Sequence, residues 1–148
     1  MKSRTRARSL ALQVLYEVDM TDHLPGEALQ NRLEESDLSA ELVGFASQIV
    51  AGVCPLSQRL DDTIARFAPE WPFDQIPAID RNILRIATWE FAVSGETPIK
   101  VAINEAVELA KLFGSDNTPR FVNGVLGALA ERQNQIRQAL CRPAEEGG

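Results

Sequence analysis

Histidine and cysteine are scarce in this chain, which narrows the chemistry that its side chains can perform. The sequence has one histidine, His23, and two cysteines, Cys54 and Cys141. Zinc sites of the familiar kinds need several such ligands at regular spacing, and a catalytic unit would have to be built on His23, which lies in a predicted loop. The cysteines are too few for a disulfide framework, and we expect Cys54 in the core and Cys141 in the tail. These residues therefore predict neither a metal site nor a bound cofactor.

Long apolar runs and phosphate-binding loops are also missing. No uninterrupted apolar run approaches the roughly 20 residues of a bilayer-spanning helix, and the N-terminal segment lacks the features of a cleaved signal peptide. We therefore expect a cytoplasmic protein that does not enter a membrane. Neither glycine-rich nucleotide motif, G-x-G-x-x-G or G-x-x-x-x-G-K-[ST], occurs. Paired acids such as Asp61 with Asp62 are common on helix surfaces, and we interpret them as solvated.

What the sequence does have is helical periodicity along nearly its whole length. Apolar residues recur at intervals of three and four, the pattern of a helix with one buried face. Helices are predicted at about 3–20, 39–53, 56–67, 77–94, 98–113 and 118–140, with a short helix near Leu29 and N-caps at Ser39, Thr97 and Thr118. No segment shows strand alternation. The sequence thus predicts an all-α fold of about seven helices in one domain over residues 1–140, followed by a frayed tail, 141–148.

The charge of the chain is unevenly distributed. Its formal net charge is -6, which by itself argues against binding a polyanion. Four bases nevertheless fall within the first eight residues, whereas the first acid is Glu17; these bases are Lys2, Arg4, Arg6 and Arg8. A basic start on an acidic body suits a protein that holds an anion at one place and a basic partner at another.

The basic start has a helical arrangement that suits a strand of nucleic acid. Arg4 and Arg8 are one turn apart on the predicted helix, and Arg6 lies about 160 degrees from each, so the cations flank the apolar stripe. Tyr16, two turns beyond Arg8, would offer a ring for stacking with an unpaired RNA base. The alternative is a basic arm with Tyr16 half in the core, and composition alone does not decide between the two.

Three stretches of the sequence together resemble one known family. They are RTRARSLALQVLYEVD at the start, DRNILRIATWEF in the middle and KVAINEAVELAKLFGSDNTPRFVNGVLG near the end. They look like the bacterial NusB family, from about Arg4 to Leu129. The resemblance implies two three-helix bundles packed at a steep angle and no catalytic activity. It also implies a partner, the small-subunit ribosomal protein NusE, with which NusB-like proteins bind the boxA RNA of ribosomal RNA leaders. Together they promote transcript processing and antitermination as part of an RNA polymerase complex.

The resemblance also assigns expected roles to particular residues. The expected RNA-binding positions lie on the first helix and at the start of the last one: Lys2, Arg4, Arg6, Arg8, Gln13 and Tyr16, then Asn117, Arg120 and Phe121. The positions expected to meet NusE are Asp74 and Asp80, where acids would face a basic ribosomal protein. The segment around these two acids, EWPFDQIPAI, departs from the family pattern and carries extra prolines.

The stretch AINEAVELAK also has a purely structural interpretation. Ala102, Ala106 and Ala110 recur every fourth residue, which predicts a close-packed helix face. Asn104 and Glu105 in the same stretch, with Asn123 in FVNGVLG, are expected to be buried polar groups that are hydrogen-bonded within the protein rather than to RNA.

Two other hypotheses about function stay open. The chain could be the RNA-binding part of a ribosomal-RNA cytosine methyltransferase, because that family carries a NusB-like domain, although little length remains for a cofactor-binding domain. It could also form a homodimer that masks the basic face. Length opposes the first hypothesis, and the sequence does not dismiss the second.

Overall fold

The computed structural model describes residues 1–141, and all regular structure in that range is helical. The predicted frayed tail, 141–148, lies outside the described residues except for Cys141, which ends a helix. The α-helices, one more than predicted, are α1 (Ser3–Met20), α2 (Pro25–Glu34), α3 (Ala40–Val53), α4 (Ser57–Phe67), α5 (Ala78–Thr88), α6 (Ile99–Phe113), α7 (Thr118–Ala130) and α8 (Gln133–Cys141). Since residues 1–141 contain no strand, the all-α prediction is confirmed.

The helices form two small bundles that are packed together. In the first bundle α1 contacts α2 and α3, and in the second α5, α6 and α7 contact one another, with α4 and α8 alongside. Helix α1 also contacts α5 and α6 and so joins the two bundles. One hydrophobic core continues through both, with fully buried side chains that include Leu12, Ile49, Leu84 and Leu126. The two-bundle arrangement expected from the family resemblance is confirmed.

Helix α5 is the central helix, as its wide apolar face predicted. Residues 82–88 are all buried. The helix continues into a π-helical segment, Trp89–Ser94, which ends at Gly95, a residue in the left-handed region with φ of 70°. The Gly95 N–H donates to the Glu90 carbonyl at 3.0 Å, the wider spacing of a π turn. Glu90 itself is 2% exposed, so this segment carries an acid into the interior.

Two of the three predicted helix caps are wrong. Ser39 does cap α3, because its hydroxyl accepts a backbone N–H of the first turn. Thr97 does not cap α6, which begins two residues later, and its hydroxyl instead donates to Glu90. Thr118 is the first residue of α7 and its hydroxyl contacts Asp80. In both wrong cases a buried carboxylate from another part of the fold takes the hydroxyl, which a local capping rule does not consider.

The predicted last helix is two helices in the structure. Helix α7 ends at Ala130, and α8 begins at Gln133 after a short turn. Cys141 belongs to α8 and not to the tail, and its thiol donates to the Ala92 carbonyl with a sulfur–oxygen distance of 3.2 Å. Cys54 is half-buried and packs against the core, in line with its predicted place. The contact from Cys141 attaches α8 to the π-helical segment.

One helical stretch meets the length and composition of a membrane span. Ala40–Phe67 comprises α3 and α4 with a 3₁₀ turn between them, and polar residues interrupt its apolar sequence. Core helices of soluble proteins pass the same test. Ile49, Val53 and Ile64 on this stretch are at most 1% exposed because other helices cover them. These three residues belong to the core, whereas 22% of the most apolar window of the stretch is buried inside the protein.

Candidate nucleic-acid interface

The start of α1 carries the predicted RNA-binding cations, and its local sequence does little to stabilise a helix there. No side chain caps it, since the residue before it is Lys2, and its first turn contains no acid. Arg4 and Arg6 instead place positive charge near the positive end of the helix dipole, which is unfavourable. Contacts with other helices must therefore hold this turn in place.

Arg8 is held inside the protein, which corrects the expectation that its guanidinium is free for RNA. It is 3% exposed. Its Nε and Nη2 donate to the two carboxylate oxygens of Glu90 at 2.8 and 2.7 Å, and its Nη1 donates to Glu105 at 3.1 Å. Burial alone would lower the pKa of Arg8, but the hydrogen bonds and charges of Glu90 and Glu105 outweigh burial and raise it. We call these three residues the Arg8 cluster.

Two threonines complete the hydrogen bonding of the Arg8 cluster. Thr5 donates to Glu105 at 2.7 Å, and Thr97 donates to Glu90 at 2.9 Å. The Glu105 side chain is 12% exposed and bonded within the protein, as predicted. The cluster thereby connects α1, the π-helical segment and α6. Asn104 and Asn123, by contrast, are exposed, so for these two the expectation of burial is wrong.

Arg4 and Arg6 stay at the surface beside this cluster. The Arg4 guanidinium carbon lies 4.5 Å from the ring centroid of Phe45 on α3, a cation–π contact. Arg6 forms an ion pair with Asp37, whose side chain is 87% exposed. Because exposed ion pairs contribute only about 0–1 kcal/mol, a phosphate can replace Asp37 as the partner of Arg6. Both arginines therefore remain candidates for RNA contact.

A groove of about 470 Å³ lies between the start of α1, helix α6 and the start of α7. Its lining carries three bases, Lys2, Lys111 and Arg120, and two acids, Glu105 and Glu108. Because the bases outnumber the acids, we call it the cationic groove. Among residues 1–141, no carboxylate forms an ion pair with any of the three. Two bases predicted from opposite ends of the sequence, Lys2 and Arg120, thus meet at one surface.

Gln13 and Tyr16, the other predicted residues of α1, lie farther along the helix. The Gln13 amide nitrogen donates to the Ser9 carbonyl, and its oxygen accepts from Arg32 at 3.0 Å, so its orientation is fixed. Gln13 and Arg6 line a second groove, between α1 and α2. Tyr16 is 37% exposed, which leaves part of its ring open to a base.

Asn117 and Phe121 lie at the start of α7, beside Arg120. Asn117 directly precedes the helix, is exposed, and makes no capping hydrogen bond with its side chain. Phe121 is half-buried and packs against the core, whereas Arg120 is exposed. Backbone carbonyls just before the helix accept from the N–H groups of Thr118 and Phe121, and Pro119 has no N–H, so the helix dipole rather than a set of free amides favours a phosphate at this end.

Asp80 is buried, which corrects the expectation that it faces a basic partner. It is 6% exposed, and the Thr118 hydroxyl lies 3.2 and 3.3 Å from its two oxygens. Burial raises the pKa of Asp80, and the hydrogen bond from Thr118 offsets only part of that rise. Asp74, by contrast, is exposed in a 3₁₀ turn between α4 and α5, on a groove that it shares with Asp62. Of the two predicted partner-binding acids, only Asp74 is accessible.

A second group of charges attaches the far end of α1 to α4 and α5, and we call it the Arg85 cluster: Arg85, Arg81, Asp19 and Asp61. Arg85 donates to both oxygens of Asp61 at 2.7 and 2.6 Å. Arg81 and Arg85 donate to Asp19 at 2.7 and 3.2 Å. Burial alone would raise the pKa of Asp19, but the two arginines outweigh burial and lower it. Two cations face two carboxylates, so the cluster is balanced within the protein.

Sequence reasoning missed two residues of this interface, Glu90 and Lys111. Glu90 stands within the apolar segment IATWEFAV, and a lone acid in an apolar helix signals a buried basic partner. Lys111 carries no such signal, because only the fold places the end of α6 beside the start of α7.

Comparison with known proteins identifies the family. Residues 5–131 match the NusB family. The transcription antitermination protein NusB of Roseiflexus sp. (strain RS-1) is 47% identical over 137 residues, which cover 91% of this chain and 96% of that protein. NusB of T. maritima superposes with a TM-score of 0.76 at 28% identity, over 94% of this chain and 93% of that one. A chain in a crystal structure of the antitermination factors NusB and NusE in complex with dsRNA gives a TM-score of 0.80 at 26% identity, over 89% of this chain and 98% of that one. The chain therefore belongs to the NusB family.

Proposed function

We propose that this chain is an RNA-binding adaptor that, together with NusE, binds the boxA RNA of ribosomal RNA leader transcripts and promotes transcription antitermination and RNA processing. It acts in the cytoplasm within an RNA polymerase antitermination complex, as one domain over residues 1–140, and catalyses no reaction. The observation that carries the proposal is the cationic groove, where Lys2, Lys111 and Arg120 outnumber the lining acids Glu105 and Glu108. Among residues 1–141 none of these three bases forms an ion pair with a carboxylate. Similarity to the NusB chain crystallised with NusE and dsRNA supports it.

The cations hold the RNA backbone in this proposal. Each lysine or arginine that neutralises a phosphate releases condensed counterions, so affinity comes from phosphate contacts and falls with salt. Arg120 adds its charge to the positive end of the α7 dipole, a favourable place for a phosphate. Arg4 and Arg6 extend the positive surface around the start of α1.

Rings and amides that are at least partly exposed contact the bases in this proposal. Tyr16 offers part of its ring for stacking, and Phe121 lies next to Arg120 at the other edge of the surface. Gln13, held by Arg32, and Asn117, which caps nothing, present amide groups that can hydrogen-bond to base edges. Sequence preference for boxA would come from these groups, because phosphate contacts carry no sequence information.

NusE binds at a different surface, which includes Asp74. This acid is exposed on the connection between α4 and α5, where no helix covers it. A basic ribosomal protein would be attracted to it, chiefly through the rate of association, because rim charges act mainly on that rate.

The test is a fluorescence-anisotropy titration of boxA-like RNA over a salt series, with and without purified NusE. Reversing two charges of the cationic groove, Lys2→Glu with Arg120→Glu, should weaken RNA binding by about 1–3 kcal/mol per contact at low salt. The slope of log affinity against log salt should fall by about 0.7 for each phosphate of a single strand that the variant no longer neutralises.

A matched control separates the groove from net charge. Arg66 on α4 and Arg132 after α7 are exposed cations outside the groove lining. Reversing both, Arg66→Glu with Arg132→Glu, changes the net charge equally and should leave affinity nearly unchanged. If the two double variants lose affinity equally, or neither loses any, the cationic groove is not the RNA site.

A further inference from the structure

We propose that Glu90, a buried acid, is a positioning residue for RNA binding: through Arg8 it fixes the first turn of α1 and thereby the cations Lys2 and Arg4. The inference rests on the proposed RNA-binding function and deepens it. Glu90 touches no ligand in this scheme, and its effect passes through Arg8 alone.

The start of α1 needs contacts from other helices to stay folded. Its first turn has neither a capping side chain nor an acid, and Arg4 and Arg6 oppose the helix dipole. A turn of this composition frays readily when nothing else holds it, because end residues of a helix have few hydrogen bonds of their own. Frayed cations would lose the fixed spacing that several phosphate contacts need at once.

The Arg8 cluster provides such contacts and thereby anchors the turn. Arg8 lies one turn after Arg4, and its guanidinium is held by both Glu90 oxygens, at 2.8 and 2.7 Å. The side chains of Arg8 and Glu90 are 4% and 2% exposed, so the pair is shielded from salt. Arg8 also lies 5.0 Å from the Phe45 ring on which Arg4 stacks, so the two arginines share one support.

The π-helical segment places the Glu90 carboxylate within hydrogen-bonding distance of Arg8 on α1. Segments of this kind are rare and occur frequently at functional sites. Here the segment places Glu90 where Arg8 and Thr97 reach it from two other parts of the chain. An acid with three fixed donors around it has a defined position, which is what an anchor requires.

The sign of the effect distinguishes positioning from simple electrostatics. The Arg8 cluster contains one cation and two carboxylates, so it carries an excess negative charge beside the RNA surface. If only the electrostatic field mattered, removing the Glu90 charge would favour RNA, a polyanion. If Arg8 itself contacted phosphate, freeing it from Glu90 would also favour RNA. Only positioning predicts that removing an acid weakens RNA binding.

The decisive variant is Glu90→Gln, titrated with boxA-like RNA at a temperature where circular dichroism shows full helicity. We expect about tenfold weaker binding, the size of one charge-assisted hydrogen bond. The matched control is Asp61→Asn, which likewise converts the acid of a two-bond arginine pair to an amide, but at the far end of α1. RNA affinity of the control should stay at the wild-type value.

Two further variants keep the test decisive if Glu90→Gln does not fold. Arg8→Lys keeps the charge but cannot bond both Glu90 oxygens and Glu105 together, so RNA binding should weaken although net charge is unchanged. Thr97→Val removes one hydroxyl that donates to Glu90, and we expect a smaller loss in the same direction. Wild-type or tighter affinity in the folded variants would overturn the inference.

Failure of this inference and failure of the proposed function give different results. If Lys2→Glu with Arg120→Glu weakens RNA binding but Glu90→Gln does not, the groove binds RNA and the positioning role is wrong. If the groove variant binds RNA normally, the proposed site is wrong and the positioning role falls with it.

Discussion

The two ends of α1 are attached to the rest of the protein by the same device, a buried arginine pair, but they differ in what lies around the pair. At the start, Arg8 faces Glu90 and Glu105, with exposed Lys2 and Arg4 beside it. At the far end, the Arg85 cluster balances two cations with two carboxylates. The start of α1 therefore has both a buried ion pair and exposed cations that a ligand can reach. The far end has buried ion pairs alone.

This difference shows that a basic stretch should not be treated as one site. The three arginines at the start of α1 alternate along one helix, yet each has a different kind of partner. Arg4 contacts an aromatic ring, Arg6 pairs with an exposed acid, and Arg8 pairs with two buried acids. Burial decides which role each can take, because a charge enclosed by carboxylates cannot leave them without a large penalty. Under the proposal, the RNA affinity of this helix depends on buried acids as well as on exposed bases.

The largest expected effect comes from breaking either anchor. Removing one partner of a buried ion pair costs about 3–5 kcal/mol, because the other charge is left without a counterion. Arg8→Ala should lower the free energy of unfolding more than Arg85→Ala does. Arg8→Ala leaves two carboxylates, Glu90 and Glu105, without their cation. After Arg85→Ala, by contrast, Asp19 still has its ion pair with Arg81. Urea unfolding followed by circular dichroism measures both.

An exposed arginine provides the reference for this comparison. Arg132 lies in the turn after α7 and is exposed, so Arg132→Ala should change stability by no more than about 0.5 kcal/mol. Equal losses in the free energy of unfolding from Arg8→Ala and Arg85→Ala would contradict this comparison. They would mean that the second carboxylate of the Arg8 cluster costs nothing when it has no cation.

A middle-sized effect tests how far along α1 the RNA extends. Tyr16 lies between the two anchors, with its ring partly exposed. If a base stacks on it, Tyr16→Ala should weaken RNA binding by about 1–3 kcal/mol, while Tyr16→Phe keeps the ring and the affinity. Anisotropy titration at fixed salt measures both variants. Full affinity in Tyr16→Ala would confine the RNA to the first end of the helix.

Much of the fold follows from helical periodicity, because burial of one face is encoded at intervals of three and four along the chain. The central position of α5 is an example, since its apolar residues cover much of its circumference. Asp80, Asn82 and Arg85 on the same helix are buried as well, which periodicity does not predict. The break between α7 and α8 was not predicted, because the apolar pattern continues through it and only a short turn divides the helices.

The sequence predicted where the site lies but not which of its arginines are buried and which are exposed. Charge counts placed the basic end, and the family resemblance added Arg120, yet neither distinguishes buried Arg8 from exposed Arg4. That distinction depends on Glu90, which is far from Arg8 in sequence and reaches it only through tertiary packing. Asp80 was misplaced for the same reason, since its partner Thr118 comes from another helix.

The smallest expected effects are on how stability depends on pH. Asp19→Asn and Asp80→Asn test them, because each removes a titrating group and keeps the size of the side chain. Asp19 has a lowered pKa because Arg81 and Arg85 outweigh burial. Stability from such an acid is present above its unfolded pKa and is lost as pH falls through the folded pKa. The advantage of the wild type over Asp19→Asn should therefore shrink as pH falls below the usual aspartate range.

Asp80 should show the opposite trend, because burial raises its pKa. The stability linked to its protonated form is fully present below the unfolded pKa and is lost as pH rises through the raised folded pKa. Asp80→Asn should therefore gain on the wild type as pH rises above the usual aspartate range, whereas the change for Asp19→Asn falls below that range. Urea unfolding of the three proteins from about pH 3 to about pH 7 measures both trends. Parallel curves for Asp80→Asn and the wild type would mean that the carboxyl near Thr118 is solvated, and the acid could then be available to a partner after all.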